Sequence, residues 1–237
     1  MAVLNEEQTM LRDAAKSWAQ ETSPVSKLRA LRDSGSGAPF DAAAWIEMGQ
    51  MGWAGVIVPE EHGGSAFGYL SLGLILEETG RTLTASPLLS TALIGASALA
   101  LGGSDAQKAE WLPKIAEGAV VTALAVDEAA HHAPERIALK AEKSGDGYAL
   151  TGRKTFVIDG DAAELLIVAA RTSGKPGETA GITLFLVDPK AAGVSRKHLA
   201  LADSRGAAEI TFSGAAGEVL GAVDKGWDVL EPVLDRA

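Results

Sequence analysis

The sequence predicts an α+β protein: an all-α bundle first, an antiparallel β domain after it, and the start of a C-terminal helix. Three observations carry this. Apolar residues recur at helical spacing through the first half. Near Gly118 that period gives way to short β-rich runs bounded by Gly, Asp or Pro. After Asp224-Lys225-Gly226, the residues Trp227, Val229, Leu230, Val233 and Leu234 repeat as one face of a helix. The expected organisation is a helical domain over 1–118, a β domain over 119–224 and the opening of a truncated helical domain over 225–237.

The elements follow in order. Asn5 with Gln8 forms a capping-box pattern, Glu6 and Glu7 suit the positive end of a helix dipole, and Met10, Leu11, Ala14, Ala15 and Trp18 share a face. Residues 33–39 are turn chemistry, after which Asp41 caps a short helix carrying Trp45 and Met48. Further helices are expected from about Tyr69 to Gly80 and from about Pro87 to Leu101. Ser104 with Gln107 opens another, bearing Trp111, Leu112 and Ile115, which Pro113 is expected to kink or divide. Strands are expected at Val120–Val126, Ile137–Lys143, Tyr148–Leu150, Lys154–Ile158, Leu165–Ala170, Ile182–Val187, Val194–Leu199 and Glu209–Phe212. Their succession without intervening helices favours antiparallel pairing. The last helix starts three turns before the end, which suggests a C-terminal region that is missing or supplied by another chain.

Composition narrows the function. The 237 residues carry a net charge of −10, which repels phosphate backbones and anionic membranes, so no nucleic-acid or membrane partner is expected. The absence of Cys removes disulfides, Cys-ligated metal and thiol catalysis. Residues 1–18 lack the basic start and apolar run of a signal peptide, and polar residues break up the weakly polar stretch 83–103, so a cytoplasmic location is expected. Motif searches are mostly negative. No G-x-G-x-x-G opens a helix after a strand. The stretch Gly147–Gly152 before Arg153-Lys154-Thr155 has the wrong spacing for a P-loop and lies between strands. His131-His132 has no third ligand at a recognisable spacing and reads as a solvated loop before Pro134, so no metal site is expected. The doublets Glu60-Glu61 and Glu77-Glu78 are ordinary in a chain with 31 acidic groups.

Several segments together resemble the acyl-CoA dehydrogenase family, flavoenzymes that oxidise the Cα–Cβ bond of acyl-CoA thioesters. The run from Gly52 through Pro59-Glu60-Glu61-His62-Gly63-Gly64 is similar to the family's P-E-E-x-G-G signature. Glu77-Glu78-Thr79-Gly80-Arg81 resembles its E-E-x-x-R helix end. Gly103 to Gln107-Lys108, with Leu112-Pro113 and Gly118, matches its G-x-x-x-Q-K, L-P and G stretch. Ala141 to Tyr148, Leu150 to Lys154 and Leu220 to Trp227 continue the correspondence in order, over essentially the whole chain.

The resemblance implies a helical domain, a β domain and, in complete members, a four-helix C-terminal domain that is nearly all absent here. It implies FAD as cofactor, acyl-CoA as substrate and an electron-transfer flavoprotein or similar acceptor as partner. It also implies a homo-oligomer, or a hetero-oligomer with a homologous subunit. The family's catalytic carboxylate belongs to the C-terminal bundle, so no catalytic residue is assigned. The flavin-contacting T-E-P-x-x-G-S-D segment corresponds to Val126–Pro134, making Val126 and Asp127 cofactor contacts and Ala133 a substrate contact. The K-x-W-I-T/S-N-G segment corresponds to Lys154–Gly160, making Phe156, Val157 and Ile158 cofactor contacts. Asp127 stands where the family has Thr, and Ile158 stands at a hydroxyl position. An Ile methyl donates no hydrogen bond, and a carboxylate near the ring disfavours an anionic reduced flavin. Backbone N–H groups of Asp127, Val157 and Ile158 survive such changes. Phe156 reads equally as sheet core or as a flavin platform. The functional readings are an acyl-CoA dehydrogenase or subunit of one, a catalytically incomplete structural subunit completing a homologous partner's site, and an acyl-CoA binding module without redox chemistry.

Overall fold

A computed structural model describes residues 3–203 and 206–237. Helix α1, Glu6–Thr22, begins at Asn5, whose side chain and that of Gln8 complete the capping box, and it buries Ala15 and Ala19. Trp18 on this helix donates its indole N–H to Glu47 at 2.8 Å and meets Trp53 edge-on at 5.1 Å. Helix α2, Val25–Asp33, has no side-chain cap and buries no residue. Val25, Leu28 and Leu31 nevertheless share one half-buried face at helical spacing, which the expected elements above do not include. Asp41 caps α3, Ala42–Gln50, through the amides of Ala43 and Ala44. Helix α4, Gly68–Arg81, packs Leu72 and Ile75 on Trp45, Met48 and Trp53.

The stretch expected as one helix from Pro87 is two. A π-helix spans Leu88–Gly95 and runs directly into α5, Ala96–Gly102. Its cause lies across the domain junction. The Thr122 hydroxyl donates to the Ser90 carbonyl, and the Thr122 N–H donates to the Thr91 hydroxyl, both fully buried. A wider turn accommodates these outside bonds. Gly95 is required there, because an added Cβ would sit 2.0 Å from the Thr122 hydroxyl oxygen. Helix α6, Asp105–Ala116, is boxed by Ser104 and Gln107 and runs unbroken through Pro113.

Among the described residues seven strands form one sheet: β1 (Thr122–Ala125), β2 (Lys140–Ser144), β3 (Gly147–Ile158), β4 (Leu165–Arg171), β5 (Ile182–Val187), β6 (Val194–His198) and β7 (Ala207–Leu220). The path runs β1-β4-β2-β3-β7-β5, with β4 also pairing β5 and β6 pairing β7. The sheet is mixed. β1 and β2 each lie parallel to β4, and the remaining pairs are antiparallel. The β2–β3 hairpin separates β1 from β4 in sequence, and this long connection permits a parallel return. The two runs 148–150 and 154–158 are one strand. Gly152, with φ of +147°, does not end it but lets Leu139 approach to 2.9 Å of where a Cβ would stand. Helix α7, Trp227–Leu234, completes the described chain. A core of Val58, Leu99, Ile115, Ile167, Leu184 and Leu230 joins the helices to one face of the sheet, and Phe185 and Phe212 anchor the other.

Candidate functional site

The residues singled out in the sequence meet at one end of the sheet. Val126 is buried immediately after β1, and Asp127 follows it half-buried. The register between β3 and β7 advances three residues on β3, from Lys154 to Val157, for two on β7, from Ile210 to Ala208. Thr155 and Phe156 therefore bulge out of the ladder. The Thr155 N–H donates instead to the Asp127 carbonyl at 2.8 Å, which lays segments 126–128 and 154–156 side by side.

This bulge fixes the exposure of the next side chains. Phe156 takes φ of +51°, a left-handed conformation that costs an aromatic residue energy and marks a constrained position. Its ring is 48% exposed, Val157 is buried, and Ile158 is 42% exposed. The sheet-core reading of Phe156 is excluded by that exposure. An aromatic ring and an aliphatic side chain two residues apart stand open beside loop 126–133. That arrangement suits the face and edge of a planar aromatic cofactor, although no hydroxyl is offered from position 158.

Asp127 turns its carboxylate into its own loop. Both oxygens lie 3.0 Å from His132 Nδ1, and the Ala133 N–H approaches one of them at 3.4 Å. Ala133 thus belongs to the same cluster, and its carbonyl accepts from the Arg136 N–H to close a short turn. His131-His132 joins no metal cluster among the described residues.

Beneath the loops lies a pair that sequence reasoning overlooked. Lys154 is wholly buried. Its ammonium donates to Glu128 Oε1 at 2.7 Å and to the Val126 carbonyl at 2.8 Å. Glu128 also accepts the N–H groups of Ala138 and Leu139, each at 2.9 Å. Burial holds the Lys154 ammonium down to about 8, against the opposing pull of Glu128 and Asp127, and Arg171 adds to the lowering. The Lys and Glu types at 154 and 128 were visible, but nothing local in the sequence says they touch. Arg171 was equally hidden. Its guanidinium donates to the carbonyls of Glu135, Ile137, Ser173, Glu178 and Ala180, gathering loop 172–181 against residues 135–137.

A second feature is a cavity of about 770 Å³ among α2, α4 and the π-helix. Leu28, Leu76, Leu88, Leu89 and Leu93 give it apolar walls, while Arg29, Arg32, Asp203 and Arg236 add charged groups to its lining. Such a volume and lining suit a small-molecule site. Ser90, on the π-helix, donates its hydroxyl to the buried carboxylate of Asp159 at 2.7 Å, one residue beyond Ile158. This bond ties the π-helix to the end of β3.

Known proteins resemble this chain along its length. A family model described as acyl-CoA dehydrogenase, N-terminal domain, matches residues 5–119, and one for the middle domain matches 126–214. Isovaleryl-CoA dehydrogenase of Pongo abelii is 33% identical over 250 aligned positions, covering 98% of this chain and 57% of that protein. Acyl-CoA dehydrogenase FadE12 of Mycobacterium tuberculosis is 31% identical, covering 81% of this chain and 49% of its own length. Among solved structures, an acyl-CoA dehydrogenase of Geobacillus kaustophilus superposes with a TM-score of 0.85 at 28% identity, covering 98% of this chain and 63% of the other. The ChsE4–ChsE5 complex of Mycobacterium tuberculosis gives 0.85 at 26% identity, covering 98% and 61%. The chain spans about half the length of the curated relatives it matches. Among the described residues no helix is long and apolar enough to cross a membrane. With both family models together accounting for most of its length, the chain belongs to the acyl-CoA dehydrogenase family.

Proposed function

We propose that this chain provides the helical and β portions of a flavin-dependent enzyme that oxidises an acyl-CoA thioester at Cα–Cβ, with FAD seated against segments 126–133 and 155–158. The observation that supports it is the Thr155-to-Asp127 backbone bond, which sets the two segments edge to edge beside the open ring of Phe156. When bound, the flavin accepts the hydride leaving Cβ. The chain's own groups do the rest of the work assigned to them. Phe156 would cover the ring face, Ile158 and Val126 would shield its edge from water, and the N–H groups of Asp127 and Ile158 would meet its polar rim, while Val157 packs in the sheet beneath them. Ala133 lies on the thioester side. The apolar cavity beside the π-helix takes the acyl group, whose burial contributes about 0.8 kcal/mol per methylene. The base that removes the α-proton comes from outside the residues of this chain. Electrons leave to an electron-transfer flavoprotein or similar acceptor.

A second reading is a catalytically incomplete subunit that completes the site of a homologous partner. Its support is the likeness to ChsE4–ChsE5, a complex of two differently named chains, together with the absence of a hydroxyl at Ile158. One experiment separates the two. The chain is purified alone and after co-expression with a homologous full-length dehydrogenase chain, and bound flavin per chain is measured by absorbance. Stoichiometric flavin in the chain alone supports the first reading and sinks the second. Flavin only in the co-purified pair supports the second. Acyl-CoA binding with no flavin in either preparation overturns both.

A further inference from the structure

We infer that Lys154 and Glu128 form an internal latch that fixes the spacing between segments 126–133 and 155–158, and so act as positioning residues for the cofactor edge. The inference deepens the flavin reading above and rests on it for the ligand.

The geometry is that of a tie rather than of a packing contact. Lys154 sits at the last ladder position before the bulge, opposite Ile210. Its side chain crosses to the end of β1 and holds two points there, the Val126 carbonyl and the Glu128 carboxylate. Glu128 in turn holds the amides of Ala138 and Leu139, which lead into β2. One ion pair therefore joins the exit of β1, the entry of β2 and the bulge of β3. The bond from Thr155 to Asp127 is made by the chain neighbours of the two latch residues, Thr155 next to Lys154 and Asp127 next to Glu128. Phe156 lies in the bulge and Ile158 two residues beyond it, and both are exposed.

Energetics argue that the pair is not there for stability. A Met would fill most of the Lys154 volume without burying a charge, and replacing a buried ion pair by apolar residues is commonly neutral or stabilising. What an ion pair adds over Met is directional: two short bonds, to the Val126 carbonyl and the Glu128 carboxylate, made from one point on β3. The charged groups bearing on Lys154 are Glu128, Asp127 and Arg171, and of these only Glu128 hydrogen-bonds it.

The test uses the whole chain as wild type, Lys154→Met and Glu128→Gln, with two readouts. Amide hydrogen exchange is followed without flavin, and FAD affinity is followed by fluorescence, alone and with a co-expressed homologous chain. We expect exchange at Thr155, Ala138 and Leu139 to quicken at least tenfold in each variant while the amides of Leu166–Ala170 keep their protection. FAD binding should weaken at least tenfold. Glu128→Gln alters a partly exposed side chain, so it keeps the test decisive if Lys154→Met does not fold. Unchanged exchange at Thr155, or equal loss of protection through Leu166–Ala170, overturns the latch. FAD uptake by the wild type with unaltered affinity in both variants overturns the positioning role alone. A wild type that takes up no FAD in either preparation overturns the flavin reading and the positioning role with it.

Discussion

Raising the pH from 8 to 10.5 should stabilise this protein through Lys154, and Lys154→Met should lack that gain. In the folded chain the ammonium releases its proton at about 8, against an ordinary 10.5. Below pH 8 both folded and unfolded states carry the proton, and the full cost of burying it is present. Between 8 and 10.5 the unfolded state binds more protons than the folded one, so stability rises with pH. Above 10.5 neither state is charged at this position and the gain is complete. At about 1.4 kcal/mol per pH unit, the difference is on the order of 3 kcal/mol. The comparison with Lys154→Met isolates the contribution of position 154. Urea unfolding followed by tryptophan fluorescence at half-unit intervals between pH 7 and 10.5 measures both slopes. Glu128→Gln removes the main influence that keeps the proton on, so in that variant the rise should begin below pH 8. Parallel curves for wild type and Lys154→Met would refute the reasoning, because they would mean that Lys154 titrates alike in both states.

Two further perturbations probe the frame around the site. Gly95→Ala places a Cβ 2.0 Å from the Thr122 hydroxyl oxygen and should lower stability by about 1–3 kcal/mol, read as a melting shift. Because the clash is with one side chain, the double variant Gly95→Ala with Thr122→Ala should recover part of that loss, a non-additivity visible in a double-mutant cycle. Arg171→Met leaves five carbonyls without their guanidinium, so amides in 173–181 should lose exchange protection and stability should fall by at least about 2 kcal/mol.

What the sequence made legible was whatever is local. Asn5 with Gln8, Asp41, and Ser104 with Gln107 specify their helix starts within three residues, and all three caps form. β4 and β5 were readable as short β-rich runs, mostly apolar because both of their faces are buried. What failed to show depends on partners far away in the chain. The π-helix owes its shape to Thr122, 31 residues from Thr91. Helix α2 does carry a stripe, Val25, Leu28 and Leu31, but it is short, only half-buried and uncapped, and so it was passed over. Gly152 reads as a break between two strands, yet its role is to admit Leu139. At the site, the motif resemblance brought Val126, Asp127, Ala133, Phe156, Val157 and Ile158 into one list. The reason they adjoin is a bulge and a buried ion pair that no spacing encodes.

Two of those residues, Asp127 and Ile158, depart from the family motif, and the structure makes their consequences unequal. The Asp127 carboxylate is occupied by His132 and the Ala133 N–H, so its charge is drawn toward its own loop. Replacing it with Thr removes those contacts and loosens residues 127–133, offsetting whatever a hydroxyl adds. Ile158 is 42% exposed and its side chain is not part of the core, so a Thr there adds a donor to an open surface with little repacking. Under the proposed function, Ile158→Thr alone should raise FAD retention through gel filtration about as much as the double variant with Asp127→Thr. Asp127→Thr alone should leave it unchanged or lower. If Asp127→Thr alone supplied the gain, the carboxylate would have to be acting at the cofactor rather than within its loop, and the placement of the flavin edge against segment 126–133 would need to be redrawn.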